Sequence, residues 1–114
     1  MDEPLKKALD FANFKQSFAI QRKLLKEKFH AAQIYGHNGG LFLVDMALLN
    51  YVTTLVEMGR TSGVILIDIN DNPILIEDLE KFKDDILNKY FESTTEYYQK
   101  YQELKRSRTV EKLL

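Results

Sequence analysis

The apolar positions divide the chain into three stretches of helical period and two short hairpins. The longest stretch runs from Asp78 to Arg106. In it Leu79, Phe82, Ile86, Tyr90, Tyr97, Tyr101 and Leu104 recur at helical intervals, flanked by Leu87, Phe91 and Tyr98. Neither Gly nor Pro interrupts it. Asp78 stands at the cap position. Glu80, Asp84 and Asp85 follow in the first turns, and Lys105, Arg106 and Arg108 lie at the far end, as the helix dipole favours. Such a helix is roughly 43 Å long at about 1.5 Å per residue. A compact domain of this size has a radius of gyration of roughly 13 Å and a diameter of about 35 Å. The helix is therefore expected to overshoot its own globule. Its first half is lined by Leu, Phe and Ile, as for a core. Its second half is lined by tyrosine, which joins an apolar ring to a wet hydroxyl and suits interfaces. Ser93, Thr94 and Thr95 are poor helix formers and mark a candidate joint.

The N-terminal stretch, about residues 3–29, has Asp2 as a candidate cap and Pro4 in its first turn. Leu5, Leu9, Phe11, Phe14, Phe18, Leu25 and Phe29 form its apolar set, close to a heptad seam from Phe11 onward. Lys15, Arg22, Lys23, Lys26 and Lys28 make a basic face. Ala31–Tyr35 and Leu41–Val44 then flank Gly36-His37-Asn38-Gly39-Gly40, and Asn-Gly supplies the positive φ angles of a tight hairpin. A glycine-rich phosphate loop would need a helix directly afterwards, and Leu41–Val44 reads as a strand. Asp45 caps a predicted helix over 46–58 that stops at Gly59. Its β-branched residues Val52, Thr53, Thr54 and Val56 leave a strand as the alternative. Gly59–Gly63 reads as a connector. Val64–Ile69 and Pro73–Ile76 give the second hairpin. Its first strand is almost uniformly apolar, which predicts burial on both faces.

These elements predict an α+β fold in one domain. The two hairpins form a small antiparallel sheet, with an N-terminal helix, a middle helix and a long C-terminal helix. If 45–58 were extended, five strands would bend into a small Sm-like barrel.

Composition narrows the function classes. Of 114 residues 45% are hydrophobic, enough for one core, and the net charge is −1. The first thirty residues carry three excess positive charges, whereas 64–92 carry five excess negative ones. That balance argues against broad phosphate neutralisation, leaving Arg22, Lys23, Lys26 and Arg60 as candidate nucleic-acid contacts. With no cysteine, disulfides and thiolate metal sites are excluded. The N-terminus lacks the apolar region of a signal peptide, and no apolar run is long enough to span a membrane.

Catalytic chemistry is not offered. His30 and His37 are the only histidines. Asp68, Asn70 and Asn72 open like a calcium loop, but Pro73 stands where glycine belongs and Leu79 where a bidentate Glu belongs. A turn rich in Asx residues accounts for them. Asp68, Asp71, Glu77 and Asp78 are acids without a demanding spacing. Serine elbow, Walker loop and dinucleotide fingerprint are all missing. The expectation is a protein that is not an enzyme and uses neither cofactor nor metal. Tyr90, Tyr97, Tyr98, Tyr101 and Leu104 are the candidate partner-binding residues, for a homo-oligomer or another protein. In the competing reading, Tyr97 and Tyr101 pack on the first helix of the same chain. Val110, Leu113 and Leu114 are candidates to dock back or to serve as a short peptide.

One resemblance bears on this. Asp68-Ile69-Asn70-Asp71-Asn72-Pro73-Ile74-Leu75-Ile76-Glu77-Asp78-Leu79 leads through Asn88-Lys89-Tyr90 to a terminal Leu104–Leu114 stretch. Together these resemble a small protein carried by contractile-tailed (myovirus-type) bacteriophages of marine cyanobacteria. The similarity spans most of the chain, and its motifs are structural rather than catalytic. It implies a virion or assembly role in phage growth, in the cytoplasm of an infected host or in the particle. It brings no functional residues with it.

Overall fold

Asp78 opens the longest element, as its side chain accepts the N–H of Lys81 at 3.1 Å. The helix that follows, α3, runs unbroken over Leu79–Leu113, longer than the predicted 78–106. At about 1.5 Å per residue its 35 residues reach roughly 52 Å. The computed structural model describes residues 3–113, with side chains over 3–107. The expectations for Asp2, Arg108, Val110, Leu113 and Leu114 lie outside these described positions. Four strands and two further helices precede α3. They are α1 (Glu3–Ala32), β1 (Ile34–His37), β2 (Gly40–Leu43), α2 (Met46–Glu57), β3 (Val64–Ile67) and β4 (Pro73–Ile76).

The order of an N-terminal, a middle and a long C-terminal helix around two hairpins is as expected, and the fold is α+β. Residues 46–57 are helical, so the strand that a five-stranded barrel needs there does not form. Asp45 accepts the N–H of Leu48 at 2.9 Å, and this cap outweighs the β-branched residues behind it. Ser93 and Thr94 do not break α3. Their hydroxyls donate to the carbonyls of Lys89 and Tyr90 at 2.8 Å, satisfying themselves along the helix.

The single sheet expected from the two hairpins is replaced by two separate two-stranded sheets, β1-β2 and β3-β4. Hydrogen bonds join hairpin one to the turn and an edge of hairpin two. The carbonyl of Leu41 accepts the N–H of Ile69 at 2.9 Å, and Asn38 Nδ2 donates to the carbonyl of Leu75 at 2.9 Å. Gly40 passes so near Ile74 that a Cβ there would lie 2.6 Å from Cγ1. The absent side chain is what lets the hairpins lie against each other. Asn38 and Gly39 hold φ of 49° and 82° in the tight turn beside it, as the Asn-Gly pair foretold.

The core is built from Phe42 and Val44, Leu49 and Val52 of α2, Leu66, Ile74 and Ile76 of the second hairpin, and Leu79, Phe82 and Ile86 of α3. α1 contributes no fully buried residue. It lies antiparallel to α3: Phe29 meets Tyr97 near one end, while Phe14 and Phe18 share a cleft with Leu104 near the other. Beyond the core, these two helices form a rod. The chain measures 70 × 24 × 17 Å with a radius of gyration of 21.0 Å, against roughly 13 Å for a compact chain of this length.

Core and rod should respond differently to truncation. Phe82→Ala should cost about 3–5 kcal/mol in urea unfolding, the range for a fully buried phenylalanine. Leu9→Ala, on an exposed face of α1, should change stability by no more than about 0.5 kcal/mol. Similar costs at both positions would contradict this division.

Candidate functional site

The candidate partner residues fall on two faces of α3. Tyr97 is turned toward α1, its ring 4.5 Å from that of Phe29. Tyr101 and Leu104 are half-buried farther along, and Tyr90 is packed against the core. So Tyr97 already has a partner within its own chain, as the competing reading held. The aromatic pair contributes about 0.5–1.5 kcal/mol beyond its area. Lys28 and Glu96 beside it approach to 3.9 Å, but both are mostly exposed and the pair contributes little.

Tyr98 behaves differently. It is 65% exposed, and Phe91, one helical repeat before it, is 71% exposed. Leu87 precedes Phe91 by one turn and is exposed too. At about 100° per residue, positions 87, 91 and 98 fall within roughly 40° of one another. They form an apolar stripe on a side of α3 that α1 leaves open. Of these three only Tyr98 is among the partner residues expected from the sequence. In the sequence Phe91 and Leu87 belong to a second periodic series that flanks the first. Burial was needed to separate the series facing the chain from the series facing water.

The candidate nucleic-acid residues are not gathered on one element. Arg22, Lys23 and Lys26 are exposed on α1, and Arg60 is exposed in the loop after α2. The Arg60 loop is tied to the start of α3 by the Leu79 N–H, which donates to the carbonyl of Thr61 at 2.9 Å.

The second hairpin's turn centres on Asp68. This carboxylate is buried. Oδ1 accepts the N–H groups of Asn70 and Asn72 at 2.9 and 2.8 Å, and Oδ2 accepts that of Leu41 at 3.1 Å. The residue that resembled a calcium ligand is thus an anchor for backbone amides and ties one hairpin to the other. The Asn72 amide above all, then those of Leu41 and Asn70, hold its carboxyl below the ordinary value, although burial opposes them. Tyr35 is a second tie, donating to Asp85 Oδ2 at 3.1 Å. Burial first, and then that carboxylate, raise its phenol above the ordinary value. His37 lies edge-on to Phe82 at 5.1 Å. His30 Nδ1 lies 3.1 Å from Oε1 of Gln33, whose amide donates to the carbonyl of Val44 at 3.0 Å. Both histidines are thus built into the fold. Among the described residues no group of three or more His, Cys, Asp or Glu is placed to hold a metal ion. No helix there is long and apolar enough to cross a membrane.

The Asp68 anchor has a pH signature. Its folded value lies below its unfolded one, so the stabilisation is present above about pH 4 and is lost as pH falls through the folded value. Asp68→Asn should lower the thermal midpoint at pH 7. The gap between variant and parent should narrow below about pH 4. A gap that stays constant from pH 7 to acid would remove this role.

Comparison with protein-family models, curated proteins and solved structures finds no match to this chain.

Proposed function

We propose that the chain is a small non-catalytic structural or assembly protein that acts by binding other proteins through the open side of α3. The supporting observation is the exposed stripe of Leu87, Phe91 and Tyr98 on an unbroken helix. Two aromatic rings on one rigid helix face are the kind of side chain that dominates binding energy at protein interfaces. The stripe starts beside the core at Leu87 and continues to Tyr98 on the rod, exposed at each of its three positions. The resemblance of 68–79 and 104–114 to a small protein of contractile-tailed bacteriophages supports assembly of a phage particle as the setting, in the infected cell or in the virion.

The test separates the two faces of α3. Phe91→Ala with Tyr98→Ala should weaken association with phage structural proteins at least tenfold, read by light scattering or chemical crosslinking. Helix content by circular dichroism should be unchanged. Tyr97→Ala should lower stability through its contact with Phe29 and affect association less. Equal loss of helix and of association in the Phe91 and Tyr98 variant would overturn the reading.

A further inference from the structure

The expectation that β3 is buried on both faces is not met. Leu66 is buried, but Ile65 and Ile67 are 52% and 60% exposed, as among the described residues no helix covers the outer face of this hairpin. Leu75 lies directly across from Ile65, and Pro73 across from Ile67, both exposed. The outer face is therefore uncharged throughout β3 and β4.

The edge of β3 is open as well. Asp68 donates its N–H to the carbonyl of Asn72 at 3.0 Å, which makes 68 and 72 a hydrogen-bonded pair. Antiparallel pairs alternate, so Leu66 with Ile74 and Val64 with Ile76 are bonded too. The N–H and C=O groups of Ile65 and Ile67 then point away from β4. No other element of the described structure bonds to them. Ile69 has the same parity, and its N–H is already taken by Leu41. Natural edge strands are commonly blunted by lysine, proline or a bulge. β4 has Pro73, and Asn38 sits on its Leu75 carbonyl. Val64-Ile65-Leu66-Ile67 has none of these devices.

We propose that β3 pairs antiparallel with β3 of a second copy of the chain, about a twofold axis at Leu66. In that register Ile65 faces Ile67 of the partner subunit, and Ile67 faces Ile65 of the partner subunit. Each bonded pair exchanges two hydrogen bonds, so four join the copies into one four-stranded sheet. The ladder ends at Ile69, whose amide is engaged, opposite Gly63 of the partner subunit.

A second copy is the occupant because the strand is its own complement. It is uncharged and aliphatic along its whole length, and a twofold contact uses the same patch on both sides. Ile65, Ile67, Ile69 and Tyr51 expose on the order of 400 Å² per copy, and edge pairing covers only part of that, so the contact falls well below the standard size of about 1,600 Å². The dimer is therefore weak and dissociates on dilution. It stands independently of the α3 stripe.

The test uses the full chain in sedimentation equilibrium and amide hydrogen exchange from about 10 to about 500 µM. A monomer–dimer equilibrium is expected. Exchange at the Ile65 and Ile67 amides should slow at least threefold with concentration, while exposed amides of α1 stay constant. Ile65→Lys with Ile67→Lys changes exposed side chains only, and should abolish the dimer with the circular dichroism retained. Phe91→Ala with Tyr98→Ala should leave it intact. A chain that is monomeric throughout, or a dimer formed without slowing at Ile65 and Ile67, overturns the proposal. So does a dimer lost in the Phe91 and Tyr98 variant and kept in the lysine variant, an outcome that leaves the helix-face reading standing.

Discussion

The burial of the first turns of α3 is the constraint from which the rest of the molecule takes its place. Phe82 is the centre of that burial. Its ring meets Phe42 at 5.3 Å, His37 at 5.1 Å and Tyr35 at 5.9 Å, so one side chain holds the whole first hairpin against the helix. Leu79 and Ile86 are buried in the same core as residues of the second hairpin and α2. The Asp78 cap and the bond from Leu79 to Thr61 fix where the helix begins. A stiff helix anchored at one end projects in a direction set by that end. The rod is the consequence, and α1 is laid along it.

The two hairpins share a core without sharing a ladder. Polar ties do what strand pairing does not. Asp68 gathers amides from its own turn and from β2, and Asn38 reaches across to β4. Gly40 allows this close crossing because it brings no side chain to it. The arrangement leaves the outer face of hairpin two and the edge of β3 unclaimed, and the proposed self-pairing depends on that.

Most elements were legible in the sequence because local chemistry marked their ends. Asp45 and Asp78 announced two helix starts. Asn38-Gly39 announced a tight turn, and Pro73 marked a strand start at a position that needs no N–H. What local chemistry could not specify was how the elements meet. Nothing in Val64–Ile67 tells an observer that one face lacks a cover, since an aliphatic run reads alike in a buried strand and an exposed edge. The split of tyrosines was hidden for a similar reason: Tyr97 and Tyr98 are adjacent in the chain, and only the position of α1 decides which of them is wet. Asp68 looked like a ligand because carboxylates that bind amides and carboxylates that bind cations share a spacing.

The pairing of α1 with α3 joins the first element of the chain to the last. On the ribosome α1 emerges early, and the stripe of Phe14, Phe18, Leu25 and Phe29 has nothing to lie on until the far half of α3 is made. At roughly 5–20 residues per second, some eighty residues of delay keep that stripe waiting on the order of ten seconds. The nascent chain thus passes through a stage in which the half-buried side of α1 still lacks the helix it will lie against.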